Sequence, residues 1–363
     1  MRTIEWRGGA ITLIDQTLLP AEYRTIECRT IPELCEAIQT LRIRGAPALG
    51  AAGGYGVALA AHLSTATTWG EFMRDIESAS ERLKGTRPTA INLAWGVDRV
   101  AAAVRLGGGD INEARELSLR EASAIADEDV ELNRRLGKHG AALFEDGDTV
   151  LTHCNAGRLA CVGWGTALGV IRAAVAEGKE LSVISCETRP LNQGGRLTVW
   201  ELMQDNIPVT LIPDSAAGSI MRAGKIDKVI VGADRITRDA VFNKIGTYTH
   251  SVLAKEHNIP FYVAAPRSTF DYTRLEQDII IEERDSDELR RIGDIMLAPA
   301  DAAVYNPAFD ATPIANVTAI ITEDGVRYPD ESGIFHFHPT HIEHIYLSAC
   351  SGESITQVTR GRL

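Results

Sequence analysis

From residue 148 onward, short apolar runs alternate with helix-length stretches. The runs cover 149–152, 181–184, 209–212, 228–231 and 260–263, with a late one at 319–322. Each is four residues long and nearly continuous in Val, Ile and Leu, where a half-exposed strand would alternate with polar residues. Such runs, separated by helices, predict a parallel sheet covered on both faces. Before residue 148 the pattern is mostly helical. Short runs in residues 1–29 predict a small β element, and residues 31–41 have helical spacing with Thr30 as cap before Pro32. Small residues from Ala51 to Ala61 suit a helix that approaches its neighbours closely. Further helices are predicted over 71–84, over 89–102 with Pro88 near the first turn, and over 110–137. The last is long and charge-rich and would bridge to the sheet, giving domains at 1–140 and 141–345 and a tail at 346–363.

Bulk properties narrow the function. A chain of 363 residues is long enough for two cores. Its net charge of −12 opposes a broad nucleic-acid footprint, so anions must be held by a few placed bases. The six cysteines show no C-x-x-C spacing and no signal peptide precedes them, as expected of reduced thiols in a cytoplasmic protein. No apolar run is long enough to cross a bilayer, so no membrane partner is expected. No G-x-G-x-x-G follows the first strand of the sheet, which leaves a dinucleotide site unsupported.

The loops after the strands carry the candidate chemistry. They hold Cys154, Cys186-Glu-Thr-Arg189, Asp214-Ser215, Gly232-Ala-Asp-Arg235 and Ala265-Pro-Arg267. In an open α/β sheet these loops share the edge where ligands bind. Cys154 reads either as a small buried hydrophobe or as a thiol whose pKa is lowered by the positive end of the next helix. Asp234 reads either as a helix cap or as a carboxyl in a poorly hydrated crevice, where it holds a proton near neutrality. Side by side, the two would titrate as a coupled pair and supply both an acid and a base. Arg44 and Arg87 sit at loop-to-helix junctions, either as surface arginines or as forks presented to an anion. Asn243-Lys-Ile-Gly-Thr247 is either a second hold on an oxyanion or a glycine-marked turn before a helix.

Taken in order, Arg44-Gly-Ala-Pro-Ala48, Arg87-Pro-Thr-Ala-Ile-Asn92, Cys154-Asn-Ala-Gly157, Cys186-Glu-Thr-Arg-Pro190, Gly232-Ala-Asp-Arg235 and Asn243-Lys-Ile-Gly-Thr247 resemble the motif series of methylthioribose-1-phosphate isomerases. Asn192-Gln-Gly194, Thr198-Val-Trp-Glu-Leu-Met203 and Glu282-Glu-Arg284 fit the same series, which runs from about residue 4 to residue 328. That family is similar in fold to regulatory subunits of the eukaryotic translation-initiation exchange factor and to archaeal ribose-1,5-bisphosphate isomerases.

The resemblance implies an α/β protein with a Rossmann-like parallel sheet domain, preceded by a smaller, mixed, mainly helical domain. It also implies an aldose-ketose isomerase of methionine salvage acting on a sugar phosphate, without metal or organic cofactor, as a homodimer. Carried over by motif, Cys154 and Asp234 are catalytic, while Arg44, Gly45, Ala46, Arg87, Gln193, Asn243 and Lys244 hold the substrate. The chain departs from the pattern in two places. The 232–243 loop lacks the usual Asn-Gly-Asp turn, and the tail carries His336-Phe-His-Pro-Thr-His-Ile-Glu-His344, which reads either as a surface segment or as a zinc or nickel binder. Three other functions compete. They are isomerisation of another pentose 1-phosphate, a non-catalytic regulatory subunit, and a cysteine hydrolase with His153 as base. In the first, a 1,5-bisphosphate would need an extra basic group that the matched loops do not advertise.

Overall fold

The computed structural model describes residues 1–330 and Phe335. The 336–344 histidine cluster and the 346–363 tail lie outside the described residues. Strands β1 (Ile4–Arg7), β2 (Ala10–Ile14) and β3 (Thr25–Cys28) form the small antiparallel element predicted at the N-terminus. Helices α1 (Ile31–Gln39), α2 (Ala46–Leu63), α3 (Trp69–Thr86), α4 (Ile91–Arg105) and α5 (Ile111–Ala141) follow. Thr30 caps α1 through a reciprocal pair with Glu33, an arrangement that stabilises a helix start by about 1 kcal/mol.

Helix α2 is apolar all round and buried along almost its whole length, as a core helix must be. Its glycines let α4 come in at backbone distance. A Cβ on Gly96 would lie 2.0 Å from the Gly50 carbonyl oxygen, so neither helix tolerates a larger residue at the crossing. The α3 and α4 boundaries differ from the predicted ones. Helix α3 runs on to Thr86, and α4 begins only at Ile91, because Pro88–Ala90 form a turn closed by the Ala90 N–H donating to the Arg87 carbonyl at 3.0 Å.

The main sheet uses β4 (Thr149–Thr152), β5 (Ser182–Cys186), β6 (Val209–Ile212), β7 (Lys228–Val231), β10 (Phe261–Ala264), β14 (Ala319–Thr322) and β15 (Gly325–Arg327). Its spatial order is β15-β14-β10-β7-β4-β5-β6, parallel throughout except for the edge pair β14–β15. Read from β6 to β14, this is the doubly wound order 3-2-1-4-5-6, with the chain reversing direction of travel between β4 and β7. Helices α6 (Ala167–Ala176), α7 (Val199–Gln204), α8 (Ala217–Arg222) and α9 (Thr247–Glu256) connect its strands. The predicted strands fall within two residues of the observed ones.

A second, three-stranded antiparallel sheet joins β8 (Arg235–Ile236), β9 (Ala240–Lys244) and β13 (Phe309–Pro313) beside the main one. A helical turn, α10 (Asp287–Arg290), and the hairpin β11 (Arg291–Ile292) and β12 (Ile295–Met296) lie between β10 and β13. Helix α5 buries Ala114, Ala122, Ile125 and Ala126 in the core of the N-terminal helices, and Leu136 and Ala141 in the core of the sheet. It is the bridge its length foretold.

Candidate functional site

The switch point fixes where chemistry can occur. Strands β4 and β7 are neighbours, and the loops leaving their carboxyl ends diverge, opening a crevice. Cys154 stands two residues past β4, and Asp234 three residues past β7. Both line one cavity of about 310 Å³, closed on its other side by Arg44, Gly45, Ala46 and Arg87 from the helical region. Gln193, Asn243 and Lys244 line it as well. Thus all nine residues carried over by motif line the same space.

The loop after β4 is held tightly. Cys154 adopts φ +64°, a left-handed conformation uncommon for a side-chain-bearing residue. Its N–H donates to Thr188 Oγ1 at 2.8 Å, and its carbonyl accepts from Thr198 Oγ1 at 2.6 Å. Below it, Glu201 is fully buried and accepts from Asn155 Nδ2, the N–H groups of Arg158 and Leu159, and Arg172. Asn155 in turn receives the Arg44 fork on its side-chain and main-chain oxygens at 2.9 and 2.7 Å. A buried acid on α7 therefore orients an arginine of the helical region through one asparagine. Sequence reading gave Glu201, Thr188 and Thr198 no role, although all three lie in the quoted motifs. The only separate signal was an acid amid the apolar positions of α7.

Arg44 is held at the mouth of α2 by Gly45, which adopts φ +96°. A Cβ there would sit 2.4 Å from the Ala160 carbonyl oxygen. Gly45 caps α2 without a side-chain hydrogen bond, so the first N–H groups of that helix face the cavity side by side with the guanidinium. Arg87 lies across the mouth and pairs with Glu282 at 3.1 Å, and Glu282 also pairs with Arg284.

The electrostatics follow from burial among cations. Burial pushes the Asp234 carboxyl up, against the pull of Arg44, Arg87 and Lys244. Burial likewise pushes the Cys154 thiol up, opposed by Arg44 and Lys244 and reinforced by the negative charge of Asp234. The lowered thiol pKa expected from a following helix is corrected here. The next α-helix begins only at Ala167, and desolvation outweighs the nearby positive charges. Asp234 caps no helix, because it leads into the β8–β9 hairpin, with its N–H donating to the Phe242 carbonyl at 2.9 Å. Among the described residues its carboxyl accepts no hydrogen bond from a protein group. Lys244 ends β9, buried, and its pKa is lowered by that burial. Among the described residues its ammonium forms no ion pair and no hydrogen bond. Gln193 is also buried, and its Oε1 has no hydrogen-bond partner among the described residues. Groups left unpaired in this way mark a place meant for a polar ligand.

Two loops expected on this edge do not face the cavity. Asp214 accepts from the N–H groups of Thr188 and Arg189 and so braces the neighbouring loop, and Cys186 is buried beneath it. His153 is no base for Cys154. Its Nε2 meets the Ile245 carbonyl at 2.8 Å, its Nδ1 meets His250 at 3.1 Å, and burial lowers its pKa to about 4. The cavity also holds basic groups to which the sequence assigned no role, Arg235 and Arg284 in the quoted motifs and Arg274 outside them. Arg235 and Arg274 share Asp271, and Arg284 lies against Glu282 and Glu288.

A family model for the Initiation factor 2 subunit family matches residues 42–329. The chain belongs to that family. A relative from Methanosarcina acetivorans is 63% identical over 331 residues, covering 91% of this chain and 95% of its own. A methylthioribose-1-phosphate isomerase from Heliobacterium modesticaldum is 52% identical, covering 91% and 96%. Among solved structures, a 5-methylthioribose 1-phosphate isomerase from Pyrococcus horikoshii OT3 superposes with a TM-score of 0.85 at 46% identity, over 90% of this chain and 92% of its own. A protein from A. fulgidus described as translation initiation factor eIF-2B, subunit delta, superposes with a TM-score of 0.84 at 58% identity, over 92% and 98%. Relatives under both descriptions share this fold, so the choice between them rests on the cavity.

Proposed function

We propose that the protein is an aldose-ketose isomerase that converts 5-methylthioribose 1-phosphate to 5-methylthioribulose 1-phosphate in methionine salvage. The observation that carries this reading is the meeting, at one switch point, of Cys154 and Asp234 with Arg44 and Lys244, which form no ion pair among the described residues. The named activity of the relatives supports it. A scaffold subunit has no use for a desolvated thiol-carboxyl pair beside two such cations.

The chemical obstacle is the phosphate on C1, which stops the sugar ring from opening as a free sugar's would. Asp234, its proton held up by burial, protonates the ring oxygen, and the C1–O4 bond breaks. Hydrogen then leaves C2 and arrives at C1, by proton transfer through Cys154 or by direct hydride shift, and the C2 hydroxyl gives its proton to the Asp234 carboxylate as the ketone forms. Arg44, the first N–H groups of α2 at Gly45 and Ala46, and Lys244 hold the phosphate. Arg87, Gln193 and Asn243 hold the sugar hydroxyls. Apolar walls from Leu49, Ile91 and Leu191 exclude water and strengthen each of these interactions.

We read the chain as two domains, 1–140 and 141–345, from its pattern of elements, with the substrate between them; the protein as cytoplasmic from its cysteines; and its assembly as a homodimer from the family resemblance. Among the described residues no helix is long and apolar enough to cross a membrane. The decisive assay offers methylthioribose 1-phosphate, 5-deoxyribose 1-phosphate and ribose 1,5-bisphosphate side by side. The highest kcat/KM falls on the methylthio sugar. A preference for the bisphosphate would overturn the substrate, and no turnover of any would return the protein to the regulatory class.

A further inference from the structure

Three side chains that the proposed chemistry does not use converge beside it. His153 follows β4, Cys186 ends β5, and His250 lies in the first turn of α9. One ring nitrogen from each histidine and the Cys186 sulfur all lie within 4.8 Å of one another, and all three residues are buried. The geometry points to a zinc site at this cluster, tying together three elements of the sheet domain.

Several features fit a metal better than packing alone. His153 Nδ1 and His250 Nε2 stand 3.1 Å apart, close to the roughly 3.3 Å between two nitrogens on tetrahedral zinc at 2.0–2.1 Å each. The other nitrogen of His153 faces the Ile245 carbonyl at 2.8 Å, the outer hydrogen bond that orients a ligating imidazole. The nearest carboxylate is Asp214, whose Oδ1 is 3.8 Å from His153 Nδ1 and whose charge also acts on Cys186 and His250. Both its oxygens already accept main-chain N–H groups, so the donors of the cluster itself are two nitrogens and a sulfur, a borderline-soft set that suits zinc. On binding, the Cys186 S–H bond breaks, its proton passes to solvent, and a sulfur–zinc bond forms.

The site would brace the catalytic loop from behind. His153 adjoins Cys154, and Thr188, which accepts the Cys154 N–H, is two residues past Cys186. Zinc would thus fix the backbone on both sides of the thiol.

The test uses the full chain, stripped with a chelator and titrated with Co²⁺, then with Zn²⁺. The expected result is one equivalent of Co²⁺ with a thiolate-to-cobalt band and tetrahedral d–d bands, displaced by Zn²⁺, and a Tm that Zn²⁺ raises. The thiolate band disappears in Cys186→Ser and persists in Cys154→Ser and in Cys350→Ser, which separates this site from the catalytic thiol and from the tail. His250→Ala keeps the thiol and serves if Cys186→Ser fails to fold; it weakens Co²⁺ binding by on the order of tenfold or more. No thiolate band in the wild type would overturn the proposal. So would loss of the band in Cys154→Ser or Cys350→Ser, or Co²⁺ affinity unchanged in His250→Ala.

Discussion

The two walls of the cavity are made of opposite materials. On one side, α2, α4 and α5 pack through glycine, alanine and branched apolar residues, and what they present to the cavity is a helix start with two arginines. On the other, the sheet edge holds residues in left-handed backbone (Cys154, Thr188, Asn192), a buried lysine without an ion pair among the described residues and a carboxyl raised by burial. The first wall gains its stability from close packing. The second gives stability up, because each desolvated or strained group costs free energy that only a bound ligand returns. Damage to the first wall should therefore show in melting, and damage to the second in turnover.

The largest expected effect comes from the second wall. Cys154→Ser and Asp234→Asn each lower kcat by about 10³-fold or more without loss of Tm, since each removes a proton carrier and keeps the side-chain shape. Equal turnover in either variant would break the comparison. The first wall answers with Leu93→Ala, a fully buried leucine on α4. It loses about 2–5 kcal/mol in denaturant unfolding, and the protein that stays folded keeps its kcat. Arg44→Gln spans the walls. It raises KM for the sugar phosphate by roughly 10–100-fold with a smaller change in kcat, measured by steady-state kinetics, because a phosphate contact is made before the reaction begins.

The smallest effect is on pH dependence. A carboxyl whose folded pKa is raised by burial penalises the folded state once it ionises. The penalty is absent below the unfolded value near 3.9 and grows as pH rises through the raised folded value. Asp234→Asn should therefore melt higher than wild type at pH 8, with the gap closing towards about pH 4 in a melting series. A gap that widens on acidification would contradict the assigned direction.

Periodicity alone was enough to place the sheet, since continuous apolar runs such as 228–231 have few other uses in a chain this rich in helices. The order of the strands, and hence the adjacency of β4 and β7, depends on contacts between distant segments and is not written in any one of them. The 232–243 stretch hid the β8–β9 hairpin, whose two-residue first strand is too short to show alternation. At the site, Cys154 and Asp234 were legible as loop residues after strands. Their electrostatics were not, because desolvation depends on what closes over them from the helical region. Gln193 stood out only through the family resemblance, and Lys244 otherwise only as one of two readings of the 243–247 turn. What marks them physically is the absence of protein partners among the described residues, a property of the folded chain.

The central claim is that one pentose touches both the thiol and the carboxyl at the switch point. A crystal structure of Cys154→Ser with methylthioribose 1-phosphate tests it directly. The account predicts the phosphate at Arg44 and the start of α2, the ring oxygen within hydrogen-bond reach of Asp234, and C1 and C2 facing residue 154. A sugar that reaches only one of the two positions, or that binds with its phosphate away from Arg44, would contradict it.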